Sequence, residues 1–395
     1  MYSLFASLLS LGTLHASAGR NVAGDSAGFV TVLGRDTIAL ESFSRTATRL
    51  QGEIVLRVPG TVYFRYTLDL NAGGTVSRSI VELRPLGAPS IVGRRVTLDF
   101  VGDSVRVAID SAGTTQRMTY AARAGTIPLL TTGFDSSFGI YDSFGMYQLL
   151  FSLPSFRLTD TTTVPVIGAM SARVGTKRFA RRSINQVDAD FFGIAWTHLT
   201  VDENGHIVGA DGSATTEKTR TERTGPIDID RAAKGFAARD RAGKGIGIAS
   251  PPGSVRTTIG AAHLAIDYSS PRRRERTILG VVVPYGQVWR TGANAATTLY
   301  IDRPLTIGTT VVPAGEYSLW TLPTTTGVEL IINRQHGQWG TEYDPARDLA
   351  RIPMLVSAES TPGEDFTITV SVQGNSGELL IRWDTFMWRV AVKAN

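Results

Sequence analysis

The chain has 395 residues, too long for one ordinary hydrophobic core and suited to two units with cores of their own. Its 40 Lys and Arg against 35 Asp and Glu leave a net charge of +5, spread along the sequence apart from one cluster, which argues against a nucleic-acid footprint. The absence of cysteine excludes thiol nucleophiles, thiolate metal sites and disulfide staples together.

The N-terminal stretch MYSLFASLLSLGTLHASAGR places an apolar run at Leu4 to Leu14 and small residues at Ala16 to Ala18. The run is too short to cross a membrane, and its length and the ASA pattern read residues 1–18 as a signal peptide, although no Lys or Arg precedes it. No later apolar run reaches the ~18 residues of a membrane helix. The expectation is an exported bacterial protein, periplasmic or extracellular, that does not span the membrane.

From Gly28 onward, alternating runs such as GEIVLRV and VYFRYTLDL are separated by turn clusters such as NAGG and DSAG, the pattern of antiparallel hairpins with one wet face. Between Ser137 and Leu153 the period changes. Ile140, Phe144, Tyr147 and Leu150 or Phe151 share a helical face that ends at Pro154. Strands resume through FFGIAWTHLTVDENGHIVGADG, with a two-residue hairpin turn expected at Asn204-Gly205. Residues 19–235 are therefore expected to form a curved antiparallel sheet, in outline similar to the open half-barrel of lipoprotein carrier proteins, with one or two short helices and a hydrophobic cavity.

Residues 236–253 read as a linker, being small, charged and glycine-rich and ending in Pro251-Pro252-Gly253. The GKGIGIA within them does not fit a dinucleotide fingerprint, because the third glycine is missing. Short strands punctuated by Gly, Pro and Asn then fill residues 254–395, as expected of a β-sandwich. A short helix is expected at DPARDLA, with Asp344 as N-cap and Pro345 at the first helical position.

The series IDYSSPRRR, ILGVVVPYGQVWRTGANAATTL, LTIGTTVVPAGEYSLWTLP, QWGTEYDPARD and LLIRWDTFMWRVAV resembles the bacterial family catalogued as domain of unknown function 2911. The resemblance covers nearly all of residues 254–393 and implies a β-rich, usually exported domain of uncharacterised activity. It supplies no substrate. The chain departs from the family pattern in its three consecutive arginines, Arg272 to Arg274, and the first 235 residues lie outside the resemblance.

Two loops concentrate polar and aromatic residues. In VPYGQVWRTGAN, Val283 to Asn294, Trp289 and Arg290 would face opposite sides of a strand, and one reading makes Arg290 an anion clamp, with Thr291 and Asn294 adding hydrogen bonds, Tyr285 a stacking platform and Trp289 counted among the ligand-binding candidates. The plainer reading carries more weight: Arg290 pairs with a carboxylate and Asn294 anchors a turn. In INRQHGQWGTEYDPARD, His336 with Asp344 or Asp348 offers an acid/base couple for a hydrolase of undescribed type, while Trp339 and Tyr343 suit a sugar-binding loop. No HExxH spacing or calcium-loop glycine supports a metal site, and no cofactor motif is present. The basic run Arg272 to Arg276 reads as a solvated loop, and the pairs Asp188/Asp190 and Asp228/Asp230 as wet faces of strands. The preferred reading is an exported, non-catalytic binding or envelope-associated protein whose partner is a small molecule, a glycan or an envelope protein, and not a nucleic acid.

Overall fold

The computed structural model describes residues 24–86, 92–131, 141–152, 161–191, 193 and 195–395. The expected signal segment, residues 1–18, lies outside them, as do Ile140 and Pro154 of the expected helix. Mainly β structure is organised into two sheets, with two α-helices among the described residues.

The first strands are β1 (Ser26–Leu33), β2 (Asp36–Arg45), β3 (Arg49–Leu56), β4 (Val62–Leu70), β5 (Val76–Arg84), β6 (Arg94–Val101), β7 (Ser104–Ser111) and β8 (Thr114–Ala121). Next come β9 (Ile127–Leu129), helix α1 (Phe144–Ser152), β10 (Thr162–Gly168), β11 (Val174–Ser183) and β12 (Gln186–Phe191). The first unit ends with β13 (Ala195–Val201), β14 (Ile207–Asp211), β15 (Thr219–Thr224) and helix α2 (Ile229–Arg241). Its 15 strands form one sheet in the order β8-β7-β6-β5-β4-β3-β2-β1-β15-β14-β13-β12-β11-β10-β9. Two meanders are thus joined where β1 pairs with β15, and the sheet stays open between its edges, β8 and β9.

Local chemistry explains the turns. Between β7 and β8, Ala112 and Gly113 both have positive φ, at 51° and 81°, as a two-residue hairpin turn requires. The turn expected at Asn204-Gly205 is instead a longer loop. The Asp202 carboxylate accepts from the backbone N–H groups of Asn204 (2.9 Å) and His206 (2.7 Å), and this side-chain anchor replaces the tight turn.

Helix α1 packs on the face of the sheet that carries the main core. Phe144, Met146, Tyr147, Leu149 and Leu150 are all buried in one core with residues of both meanders. Its N-terminus meets the fully buried Glu41 of β2, whose carboxylate accepts from the backbone N–H of Phe144 (2.9 Å) and Gly145 (3.2 Å). Tyr66 Oη (2.8 Å), Ser143 Oγ (2.6 Å) and Tyr141 Oη donate to the same carboxylate. At the far side of the helix, Gln148 donates to Gly205 O (2.7 Å) and accepts from Ile207 N–H (2.8 Å), tying α1 to the β13–β14 loop.

Helix α2 covers the other face. Strand β3 is apolar on both sides, with Ile54 and Leu56 in the inner core and Val55 packed outward against Ile229 and Ala233. The helix takes in residues 236–241 of the stretch read as a linker. Its apolar positions recur at Ile229, Ala233 and Ala237, a helical spacing obscured by small side chains and Gly235. Asp228 and Asp230, expected on a strand, are the N-cap accepting from Arg231 N–H and a first-turn partner of Lys234.

The second unit contains β16 (Pro252–Ile259), β17 (Ala262–Ser269), β18 (Thr297–Ile301), β19 (Leu305–Ile307), β20 (Thr310–Val312) and β21 (Gly315–Pro323). It is completed by β22 (Val328–Asn333), β23 (Asp348–Gln373) and β24 (Ser376–Ala394), in the order β16-β17-β18-β21-β22-β23-β24-β19-β20. The β23–β24 hairpin shifts register around Gly363, and its far half returns over β16 and β17: Gly260 N–H reaches Gly374 O (3.1 Å) and Ile368 N–H reaches Tyr268 Oη (3.2 Å). Two layers result, enclosing Trp289, Phe366, Trp383 and Trp388. The helix expected at DPARDLA shrinks to one 3₁₀ turn, Pro345–Arg347, because Asp348 already pairs with Asn333 as the start of β23.

Glu41 yields the first prediction. Burial raises its pKa above the ordinary carboxylate range, so the stability it contributes is fully present below the unfolded pKa and is lost as pH rises through the higher folded value. Urea unfolding across that window should show a slope that Glu41→Gln flattens. Glu41→Ala should cost about 3 kcal/mol or more at any pH, since each stranded buried donor costs ~1–3 kcal/mol.

Candidate functional site

The excursion between β17 and β18 carries VPYGQVWRTGAN. Trp289 forms an isolated rung with Thr321 of β21, exchanging both backbone hydrogen bonds at 2.8 Å, and its indole enters the core. There it stacks on Trp383 (6.0 Å, 14°) and meets Phe366 edge-on (5.3 Å). The backbone then reverses through positive φ at Thr291 (53°), Gly292 (151°) and Asn294 (58°). Only glycine fits the middle position, where a Cβ would lie 2.9 Å from Ser269 O.

Most of the residues singled out here hold the loop together. Thr291 is fully buried, with its carbonyl accepting from Thr297 Oγ1 (2.7 Å). Asn294 donates from Nδ2 to Ser269 Oγ (3.2 Å) and accepts at its carbonyl from Gly340 N–H (3.0 Å). Tyr285 is exposed beside Gly280.

Arg290 is the exception. No carboxylate among the described residues comes within ion-pair distance, and its Nε is buried without a hydrogen-bond partner. Its side chain crosses Gly340, where a Cβ would come within 1.9 Å of Cδ. Burial alone pushes its pKa down to about 10.

Two further cations approach it. Lys218, in the β14–β15 connection of the first unit, donates from Nζ to Ser213 O (2.9 Å), and its pKa is lowered by burial and then by the charges of Arg290 and Arg276. Arg276 donates to the carbonyls of Arg272 and Arg273, and burial followed by Arg274 brings its pKa down to about 10. Three partly desolvated cations thus gather where the two units meet, with Glu364 acting on Arg276 but none of the three in an ion pair among the described residues.

The run Arg272 to Arg276 is a docking loop and not a solvated one. Arg274 is 2% exposed and pairs with Asp36 of β2, while its carbonyl accepts from Arg35 N–H (3.1 Å). Gly34 is required at this contact, since a Cβ there would lie 2.2 Å from Arg274 O. Arg272 pairs with Asp365 (3.3 Å), Arg273 with Asp384 (2.9 Å) and Glu275 with Arg35 (3.0 Å). These partners are far away in sequence, so the run alone could not reveal them.

The second loop does not assemble the expected acid/base couple. His336 pairs with Glu316 (3.2 Å) and both are exposed. Asp348 accepts from Asn333 Nδ2 (2.9 Å), Tyr343 Oη (2.7 Å) and Arg351 Nε (3.0 Å). Burial, then Asp348, raises the Tyr343 pKa to about 12, and its ring packs on Trp320 (5.0 Å). Asp344 caps the 3₁₀ turn, accepting from Ala346 N–H (3.0 Å). Trp339 bridges to Ala295 and is 49% exposed. In the first unit Asp188 pairs with Arg182 (2.6 Å) and His198 (2.7 Å), and Asp190 with Arg178 (2.8 Å), so the two aspartates hold separate partners.

Trp289→Ala should lower stability by ~3–5 kcal/mol. Gly340→Ala should cost ~1–3 kcal/mol or more, because Asn294 O, at 2.4 Å from the new Cβ, is backbone and cannot swing aside. Thermal melts of the full chain check both.

Among curated proteins, none matches the chain. Two solved structures are similar to limited degrees. A DUF1089 family protein from Pseudomonas aeruginosa has 12% identity and a TM-score of 0.29, covering 45% of this chain and 91% of its own. A structure of botulinum neurotoxin type C has 7% identity and a TM-score of 0.11, covering 94% of this chain and 88% of its own. Residues 250–392, the second unit, match the family described as Protein of unknown function (DUF2911).

Proposed function

We infer that this is an exported, non-catalytic binding protein that takes an anionic small molecule or an acidic glycan at Arg290. The observation that carries this reading is a guanidinium held between the two units with no carboxylate beside it. Such a group is depressed in pKa until an anion arrives, and a carboxylate or phosphate would match its planar fork. Lys218 and Arg276 add positive potential from both units. Trp339, next in the chain to the glycine under Arg290, offers an exposed indole for a sugar ring. A hydrolytic reading is weakened because His336 and Asp348 are engaged by different partners.

Thermal shift of the full chain over sulfate, citrate and glucuronate tests this. A ligand at about 100 times its Kd should stabilise the wild type by ~2.7 kcal/mol. Arg290→Gln should abolish that shift while leaving the empty protein as stable, or more so, because an unpaired buried charge is removed. Equal shifts in the wild type and Arg290→Gln would refute the assignment.

A further inference from the structure

A separate cleft is lined in part by the docking loop. Its volume is about 510 Å³, and six cations line it: Arg35, Arg57, Arg239, Lys244, Arg272 and Arg274. Three carboxylates share the lining, Asp36, Glu364 and Asp365, so three positive charges are in excess. Neither Arg290 nor Lys218 belongs to it.

The carboxylates are already engaged. Asp36 holds Arg274, Asp365 holds Arg272 (3.3 Å), and Glu364 accepts from Arg274 N–H (3.0 Å) and faces Arg35 at 4.0 Å. Arg57, Arg239 and Lys244 have no carboxylate within ion-pair distance among the described residues. Arg57 is 6% exposed, lies over the Phe236 ring (4.2 Å) and donates one Nη to Thr37 O (2.7 Å), yet its Nε is buried without a partner. Arg274, at 2% exposed, has both Nε and Nη2 unpaired. Two buried guanidinium groups, each with nitrogens that lack a partner, thus stand in the cleft wall beside the exposed cations Arg239 and Lys244, and the wall holds more positive charge than its carboxylates answer.

We propose that this cleft binds a small molecule carrying a diphosphate or two closely spaced phosphate groups, contributed to by both units. An excess of three positive charges calls for a multiply charged ligand. The volume falls within the ~300–1,000 Å³ of small-molecule sites and exceeds what a lone inorganic ion fills. Guanidinium forks recognise phosphate oxygens in pairs, which a diphosphate presents in succession. The lining cations come from both units, Arg57, Arg239 and Lys244 from one side of the junction and Arg272 and Arg274 from the other, so the ligand bridges the units and strengthens their docking.

Titration calorimetry of the full chain with inorganic pyrophosphate tests this, run in the Arg290→Gln background so that the anion site proposed above does not contribute. Pyrophosphate should bind at least about tenfold more tightly than inorganic phosphate or citrate. Arg57→Gln should weaken binding by about tenfold or more, the worth of one charged hydrogen bond. Because Arg57 is buried, the double variant Arg239→Gln/Lys244→Gln provides a second reading from two exposed side chains, with the same direction expected. The proposal is overturned if pyrophosphate fails to bind below about 1 mM, if phosphate or citrate binds as tightly, or if both cleft variants retain wild-type affinity.

Discussion

Docking the loop Arg272 to Arg276 against β1 and β2 removes several guanidinium groups from water at once, and the cost of that desolvation governs how the two units meet. Where a carboxylate is at hand the charge is settled: Arg274 by Asp36, Arg273 by Asp384, Arg272 by Asp365. Arg276, Arg290, Arg57 and Lys218 are not settled in this way, and burial lowers the pKa of each. The junction therefore carries electrostatic strain on both sides of its anchoring pair. That strain is what distinguishes it from an ordinary contact between two β units.

The interior of the first unit resolves the same problem differently. Glu41 is buried as completely as any residue of the core, yet no cation among the described residues forms an ion pair with it. Three hydroxyls and two backbone N–H groups at the start of α1 supply the polarity, so a carboxylate on β2 and a helix more than a hundred residues later define one another's position. Hydroxyl and amide donors hold the carboxyl group in the core, where burial raises its pKa, whereas positive charge is left in excess at the junction. The contrast fits a core built for uniqueness and a junction open to a charged ligand.

How much of this is readable from the chain depends on the range of the interaction involved. Period-two alternation and turn residues are local, so β3, β7, β8 and β21 through β24 stand out in the sequence, as does the VWRTGAN loop with its glycine and asparagine at positive φ. Helix α2 is obscured because its buried face is made of Ile229 and two alanines among charged residues and glycines. The full 26-residue span of β23 is hidden by Pro353, Pro362 and Gly363, which suggest turns but lie along a strand that bends and shifts register. Glu41 gives no signal at all, because an acidic residue in an alternating strand is expected on the wet face. The fate of Arg290 is equally hidden: the sequence supplies many carboxylates, and only the fold determines that none reaches it.

The seam between β1 and β15 has a further consequence. At its centre the hydroxyls of Thr31 and Thr221, 190 positions apart in sequence, meet at 2.8 Å. Each meander can zip up by neighbouring hairpins, whose loops are short and cheap to close. Joining them cannot begin until β15 has been synthesised, so β1 to β8, complete at Ala121, wait until Thr224 as a sheet with an unsealed edge. An early-formed half-sheet of this kind needs a temporary cover or a fast second half. The order of the strands along the gene thus sets a waiting time during which this protein is most exposed to misassociation.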